Sequence, residues 1–260
     1  MFIIQTNSRG IALGPILFLI AIVAIIAAVI AAGSGEFSPS TNSEGGKISA
    51  HAIIDFMDQV GVAVQMVQSN GSCTTTQFRF ENTNTTMWNS AGNYNNPNAP
   101  GDSSCDIFNP TITGLIAGGG LNWINPNPNW LTLWPNPYNG YMYTGSFAVY
   151  GVGSCQTGSC TSYSLAVLLP YVTVDICNAV NAAVGISVSN YVNGSTPSPS
   201  PPQYANGAGF EGVYGGYPIS IGNTNSPAYY GHRVGCYLGA QVPSHGTGYP
   251  YVVYDIILPL

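Results

Sequence analysis

Residues Ile11–Ala32 form an apolar run of 22 residues without a single charge. As an α-helix the run is about 33 Å long, which matches the hydrocarbon core of a bilayer. The apolar core of a cleavable secretory signal is usually about 7–15 residues long, so this run is too long for one. Arg9 precedes the run while Glu36 and Glu44 follow it, which predicts a cytoplasmic N-terminus and an exported remainder. The run is thus open to three interpretations: a secretory signal, a membrane anchor or an assembly helix.

The composition favours an exported, loop-rich domain with β-structure. Only 5% of residues are charged and the formal net charge is −6, whereas ordinary soluble proteins carry about 25% charged residues. The basic residues are Arg9, Lys47, Arg79 and Arg233, which are too few and too scattered for a basic patch. Nucleic-acid binding is therefore excluded as a function class.

The start of the chain resembles the class III signal of type IV pilins and type II secretion pseudopilins. The resemblance rests on a short polar leader, the pair Arg9-Gly10 and the apolar run from Ile11. It implies that residues 1–10 are a leader, that a prepilin peptidase cuts after Gly10, that Ile11 is then methylated, and that 11–32 is a transmembrane and assembly helix. Most pilins carry an acid at mature position five, where this chain has Pro15; that departure favours a minor or atypical subunit.

A flexible linker over Gly33–Ser49 and an exported head over 50–260 are predicted next, since the linker segment is rich in Gly, Ser and Pro. Ser49 is the expected N-cap of a helix that Asn70-Gly71 ends. One apolar stripe runs along that helix at 4-3-4-3 spacing: Ile53, Met57, Val60, Val64 and Val67. We expect the stripe to pack on the sheet of its own domain, and a coiled-coil partner helix is the alternative.

The remaining patterns predict short strands and one further helix. Alternation of Thr76, Phe78 and Phe80 with polar residues predicts a half-buried strand. The helix, cysteine and strand up to Asn82 also resemble a group of bacterial pilin-like proteins. A strand is expected in "SYSLAVLLPYV", then a helix capped by Thr173, and finally a hairpin of "HRVGCYL" with "YPYVVYDIILPL". The predicted fold class is α+β, with an amphipathic helix packed on an antiparallel β-sheet.

Six cysteines follow the apolar run, at positions 73, 105, 155, 160, 177 and 236. An even number of cysteines in an exported chain predicts disulfides, and fifteen pairings exist for six. The favoured set is Cys73–Cys105, Cys155–Cys160 and Cys177–Cys236. A zinc site is disfavoured because no second close pair and no nearby histidine complete one.

Three of the four tryptophans lie in an Asn- and Pro-rich segment that leads into a tyrosine-rich one. Such rings make a candidate surface for a glycan or a protein partner. The favoured interpretation is instead that they fill a core poor in aliphatic residues. The candidate surface residues are Trp123, Trp130, Trp134 and Tyr138.

Catalytic motifs are missing from the sequence. The three histidines are in no metal motif, no G-x-S-x-G elbow occurs, and the glycine run at 118–120 lacks the features of a phosphate loop. Glu81 and Asp106 are left open as a glycosidase pair. We expect no enzyme activity, no metal and no cofactor.

Two functions remain as expectations. The first is a minor pilin or pseudopilin subunit of a filament, held in the inner membrane by one span with an extracytoplasmic head before assembly. Its implied partners are prepilin peptidase, an inner-membrane assembly platform, sister subunits and membrane lipid. The alternative is a single-pass anchored protein that presents an aromatic-rich binding surface outside the cytoplasm.

Overall fold

A computed structural model describes the chain over residues 37–70, 73–80, 96–116, 141–156, 160, 162–187, 210–215, 219–223, 226–239 and 251–260. The chain divides into two compact units, Met1–Gly45 and Gly46–Leu260. Among the described residues no helix is long and apolar enough to cross a membrane. The run Ile11–Ala32 lies outside them, so the expected span stays a prediction.

The first helix, α1, covers Phe37–Ser69. Every residue of the predicted stripe is at most 1% exposed, so the amphipathic interpretation is confirmed. The predicted linker and the predicted cap at Ser49 are wrong over Phe37–Ser49, because the helix already includes these residues. Gly46 lies against the backbone carbonyl of Asp175, whose oxygen would be 3.4 Å from an added Cβ. At Gly46 this tertiary contact thus accompanies a residue of low helix propensity.

Five strands form one sheet in the order β3-β1-β2-β5-β4. The strands are β1 (Met142–Val149), β2 (Ser164–Val172), β3 (Ile219–Ile221), β4 (Val234–Leu238) and β5 (Tyr251–Leu258). The pairs β1–β2, β2–β5 and β4–β5 are antiparallel, whereas β1–β3 is parallel. The sheet is therefore mixed, and the prediction of an antiparallel sheet is wrong at this edge. A parallel neighbour needs a long crossover, and the connection from β1 to β3 passes through β2 and the helix Val174–Ala183.

The second helix and the final hairpin follow the predicted pattern. The Thr173 hydroxyl accepts a hydrogen bond from the Ile176 N–H at 3.3 Å and caps α2, which covers Val174–Ala183. Gly185 follows the helix with a φ of 77°, a left-handed conformation that glycine adopts without strain. Strands β4 and β5 pair directly, so the predicted hairpin partners are confirmed.

The strand expected around Phe78 is not part of the sheet. Phe78 and Phe80 are buried as expected, but the segment makes a single β-bridge, between Arg79 and Asp106. The side-chain amide of Asn96 donates to the carbonyl groups of Thr76 and Phe78 at 2.7 and 2.9 Å. The Asn96 side chain thus takes the place of a neighbouring strand. The predicted burial of Phe78 and Phe80 is therefore confirmed, although this segment forms no β-ladder.

Both faces of the sheet are buried. Side chains of α1 and α2 share one core with Leu165, Val167 and Val253. The alternate residues of the same strands, among them Leu168 and Ile256, join a second core with the 3₁₀ helix Pro227–Tyr229. The helices and the mixed sheet confirm the α+β class, and the double burial explains why strands such as "VVYDII" are almost continuously apolar.

Candidate functional site

Two of the three predicted sites lie outside the described residues. These are the processing residues Arg9, Gly10 and Ile11 and the candidate surface residues Trp123, Trp130, Trp134 and Tyr138. Both therefore stay predictions. The third predicted set, the six cysteines, is described completely.

The three disulfides join the pairs favoured from the sequence. They are Cys73–Cys105, Cys155–Cys160 and Cys177–Cys236, with Cα–Cα distances of 5.8, 4.2 and 5.2 Å. Cys177–Cys236 ties α2 to β4 and is fully buried at both ends. Cys73–Cys105 ties the end of α1 to the segment that pairs with Arg79. One disulfide thus links α2 directly to the sheet, and another links the chain shortly after α1 to the segment of Cys105.

Asn181 of α2 closes the outer edge of β4. Its side-chain amide donates to the Cys236 carbonyl at 2.8 Å, and its side-chain oxygen accepts from the Cys236 N–H at 2.7 Å. Asn181 thereby reproduces the pair of hydrogen bonds that another strand would make. The Tyr229 hydroxyl donates to the same carbonyl at 2.9 Å. Asn181 is 2% exposed, and the edge is blocked against strand addition at its centre.

The role of Asn181 was not predicted, although the sequence carries a signal for it. The residue lies four positions after Cys177, and residues four apart lie on the same face of a helix. A polar side chain beside a buried disulfide cysteine must find hydrogen-bond partners. The edge of a neighbouring strand supplies a donor and an acceptor together.

An ion pair fixes the region beside the Cys73–Cys105 disulfide. The Arg79 guanidinium binds the Asp106 carboxylate with two hydrogen bonds, of which the Nη2–Oδ2 bond is 2.7 Å long. Arg79 also donates to the Ser103 hydroxyl. Asp106 was left open as half of a carboxylate pair with Glu81, which lies outside the described residues. The observed role of Asp106 is structural, because both of its oxygens are bound by Arg79.

Rings from four separate segments form a cluster at the start of β1. Phe80 stacks on Tyr143 with the ring centroids 4.4 Å apart, and Phe210 meets Phe80 edge-on at 5.8 Å. Phe56 of α1 contacts Tyr141 at 4.5 Å. Tyr141 and Tyr143 are 6% and 4% exposed, so the described end of the aromatic-rich stretch fills a core, as favoured from the sequence.

Asp255 is an acidic residue at the centre of β5, and it is 0% exposed. Neither carboxyl oxygen has a hydrogen-bond partner within the described residues. Burial, as the main cause, raises the pKa of Asp255 from 3.8 to about 7; the nearby Asp58 also raises it, while Arg233 acts against them. A carboxyl group in this environment is the most strongly perturbed acid of the described residues.

The described residues offer no grouping of side chains that could hold a metal ion. No group of three or more His, Cys, Asp or Glu residues in this part of the chain is arranged as a metal site. His51 is exposed on α1, and His232 precedes β4. The contacts described above are disulfides, buried hydrogen bonds, an ion pair and packed aromatic rings.

No protein-family model matches the chain, and the searches of curated proteins and of solved structures gave no match.

Proposed function

We propose that this chain is a pilin-like or pseudopilin-like assembly subunit, held in the inner membrane by its N-terminal run and carrying a disulfide-linked extracytoplasmic head. The observation that carries the proposal is Arg9-Gly10 directly before the uncharged run Ile11–Ala32. A peptidase that cuts at this point leaves the apolar helix attached to the head. The same helix then serves as an anchor in the membrane and as a packing surface in a filament.

The described head supports assembly through a helix rather than through strands. Filament subunits that polymerise by strand addition need a free sheet edge. Here Asn181 occupies the centre of the β4 edge, and the opposite edge strand, β3, has three residues. Within the described residues, neither edge offers a long unpaired strand, which agrees with assembly through the N-terminal segment.

The disulfides support an exported location for the head. Such bonds persist in oxidising compartments outside the cytoplasm, and the three pairs use all six cysteines. The proposed partners are accordingly a prepilin peptidase at the cytoplasmic face, an inner-membrane assembly platform, sister subunits and membrane lipid. Pro15 in place of the usual acid favours a minor or atypical position in the filament.

Replacing Gly10 with valine is expected to block processing. A prepilin peptidase requires a small residue before the cut, and the β-branched side chain of valine does not fit there. Co-expression with a prepilin peptidase should convert the wild-type chain, but not the Gly10→Val chain, to a product ten residues shorter on intact-mass measurement. Gly14→Val, which makes the same change beyond the junction, is the matched control and should be processed. Equal processing of both variants contradicts the proposal.

A second candidate is an anchored binding head. It is favoured by Ile116, which is 73% exposed and ends the described segment directly before the tryptophan-rich stretch. In this alternative the rings of Trp123, Trp130 and Trp134 contact a glycan or a surface.

Alanine at Trp123 or Trp130 separates a core role from a binding role. If the rings are buried, each change should lower the free energy of unfolding by about 3–5 kcal/mol. Urea titration measures this loss, and an attachment assay measures binding, with Trp88→Ala as the control outside the stretch. Unchanged stability with lost attachment would favour the binding head.

A further inference from the structure

Asp255 lies beneath α1, on the face of β5 that the helix covers. Ile257, two residues further along the same face, packs against Gly61 of α1, where an added Cβ would be 3.5 Å from the Ile257 side chain. Asp58 precedes Gly61 by nearly one helical turn and is close enough to raise the pKa of Asp255. The buried carboxyl group thus lies at the contact between α1 and the sheet.

The arginine beside Asp255 neutralises it incompletely. The closest approach, from Arg233 Nη2 to the Asp255 carboxylate, is 3.8 Å, which is beyond hydrogen-bond distance. Arg233 instead donates from Nε and Nη2 to the Ile256 carbonyl at 3.0 and 2.7 Å. Half of its side chain is exposed to solvent, at 51%, which weakens its attraction for a buried charge. Within the described part of the chain, an ionised Asp255 therefore lacks the hydrogen bonds that a buried charge needs.

We propose that the Asp255 carboxyl group makes the contact between α1 and the sheet pH-responsive: the contact is tight when the carboxyl is protonated and loosens when it ionises. This inference goes beyond the assembly role and does not depend on it. Under this proposal, the packing of α1 on the sheet has a stability that changes with the pH of the surrounding compartment.

Few charged groups of the described chain face Asp255. Asp58 faces it from α1, and Arg233 faces it from the residue before β4. Its neighbours in register, Val167 of β2 and Val234 of β4, are apolar. The Tyr254 hydroxyl, on the opposite face of β5, donates to the His232 carbonyl and interacts electrostatically with Asp255. Arg233 and Asp58 are thus the two charged side chains that act on the ionisation of Asp255.

The direction of the pH effect follows from the two states of the carboxyl group. The pKa of Asp255 is raised to about 7 in the fold, against 3.8 for an ordinary aspartate. Between these values the folded chain binds a proton that the unfolded chain releases, so stability is greatest below about pH 4 and falls as the pH rises to about 7. From pH 5 to pH 8 the folding equilibrium constant should fall on the order of 100-fold through this group.

Urea titration of the full chain in detergent at pH 5 and pH 8 tests the proposal. The wild type should be less stable at pH 8 than at pH 5. In Asp255→Asn, which cannot ionise, most of this difference in stability should disappear. Hydrogen exchange corrected for the intrinsic rate should show faster opening of α1 near Asp58 at pH 8 in the wild type. A wild type equally stable at both pH values, or an Asp255→Asn chain with the wild-type loss, overturns the proposal.

Two surface variants keep the test decisive if Asp255→Asn does not fold. Asp58→Asn removes a like charge, so the loss between pH 5 and pH 8 should shrink. Arg233→Gln removes the opposite charge, so the loss should grow. Asp55→Asn, an exposed acid one turn earlier on α1, is the matched control and should behave as wild type. Shifts of the same sign in the first two variants contradict the proposed contact.

Discussion

Replacing Cys177 and Cys236 together by alanine is expected to lower the free energy of unfolding by about 4 kcal/mol. The two cysteines are 59 residues apart, and the chain-entropy contribution of a cross-link grows with the loop that it closes. Both residues are fully buried, and Cys177 lies on the helix that brings Asn181 to β4. Urea titration of the full chain in detergent, followed by tryptophan fluorescence, measures the change.

The Cys155–Cys160 disulfide supplies the matched control. It closes a separation of only 5 residues, so its replacement by two alanines should cost about 2 kcal/mol on the same chain-entropy basis. The ratio of the two losses is the informative quantity, because both variants remove one disulfide from the same chain. A larger loss for the Cys155/Cys160 variant would refute the view that Cys177–Cys236 is the principal cross-link of the head.

The second large effect is expected for Asn181→Ala, which should lower the free energy of unfolding by about 2–4 kcal/mol. The change removes two buried hydrogen bonds and leaves the Cys236 N–H without its acceptor, and each unsatisfied buried group costs about 1–3 kcal/mol. The Cys236 carbonyl keeps the Tyr229 hydroxyl as a donor, which limits the loss. The opened β4 edge should also increase self-association, measurable by light scattering.

Asn178→Ala separates the role of the amide from that of the helix. Asn178 lies on the same helix but is exposed, so its replacement should change stability by no more than about 0.5 kcal/mol. Similar losses for both variants would mean that the observed effect comes from α2 itself. The edge-closing role of Asn181 would then be wrong.

Local sequence patterns correctly predicted several elements of the fold. The α1 stripe, the Thr173 cap and the β4–β5 hairpin depend on residues close in sequence, and all are confirmed. The three disulfides agree with the favoured set. Of these, Cys177–Cys236 links a predicted helix to the predicted strand on which it packs. The α+β class follows from these elements.

Long-range contacts explain what the sequence did not predict. The parallel position of β3 depends on a crossover around β2 and α2, and the early start of α1 includes residues of poor helix propensity. The burial of Asp255 also depends on long-range contacts. A charge inside the apolar strand "VVYDIIL" is visible in the sequence, but its burial against α1 is a property of the fold.

The two roles proposed for the chain concern different parts of it. Processing depends on Arg9, Gly10 and Ile11, whereas the pH-responsive contact depends on Asp255 and its two charged neighbours. Failure of the pH test therefore leaves the assembly role standing, and failure of processing leaves the pH-responsive head standing. The two measurements are separable because they concern different residues and have different readouts.

N-terminal sequencing of the chain isolated from the membranes of a host that has a prepilin peptidase tests the assembly role most directly. We expect a mature chain that starts at Ile11, with a methylated terminal amine, because the cut falls after Gly10 and leaves the apolar run in place. A start between Ala32 and Gly35 would mean that the run is removed as a secretory signal. That result, or a chain that keeps Met1, would contradict the proposal that this protein is a pilin-like assembly subunit.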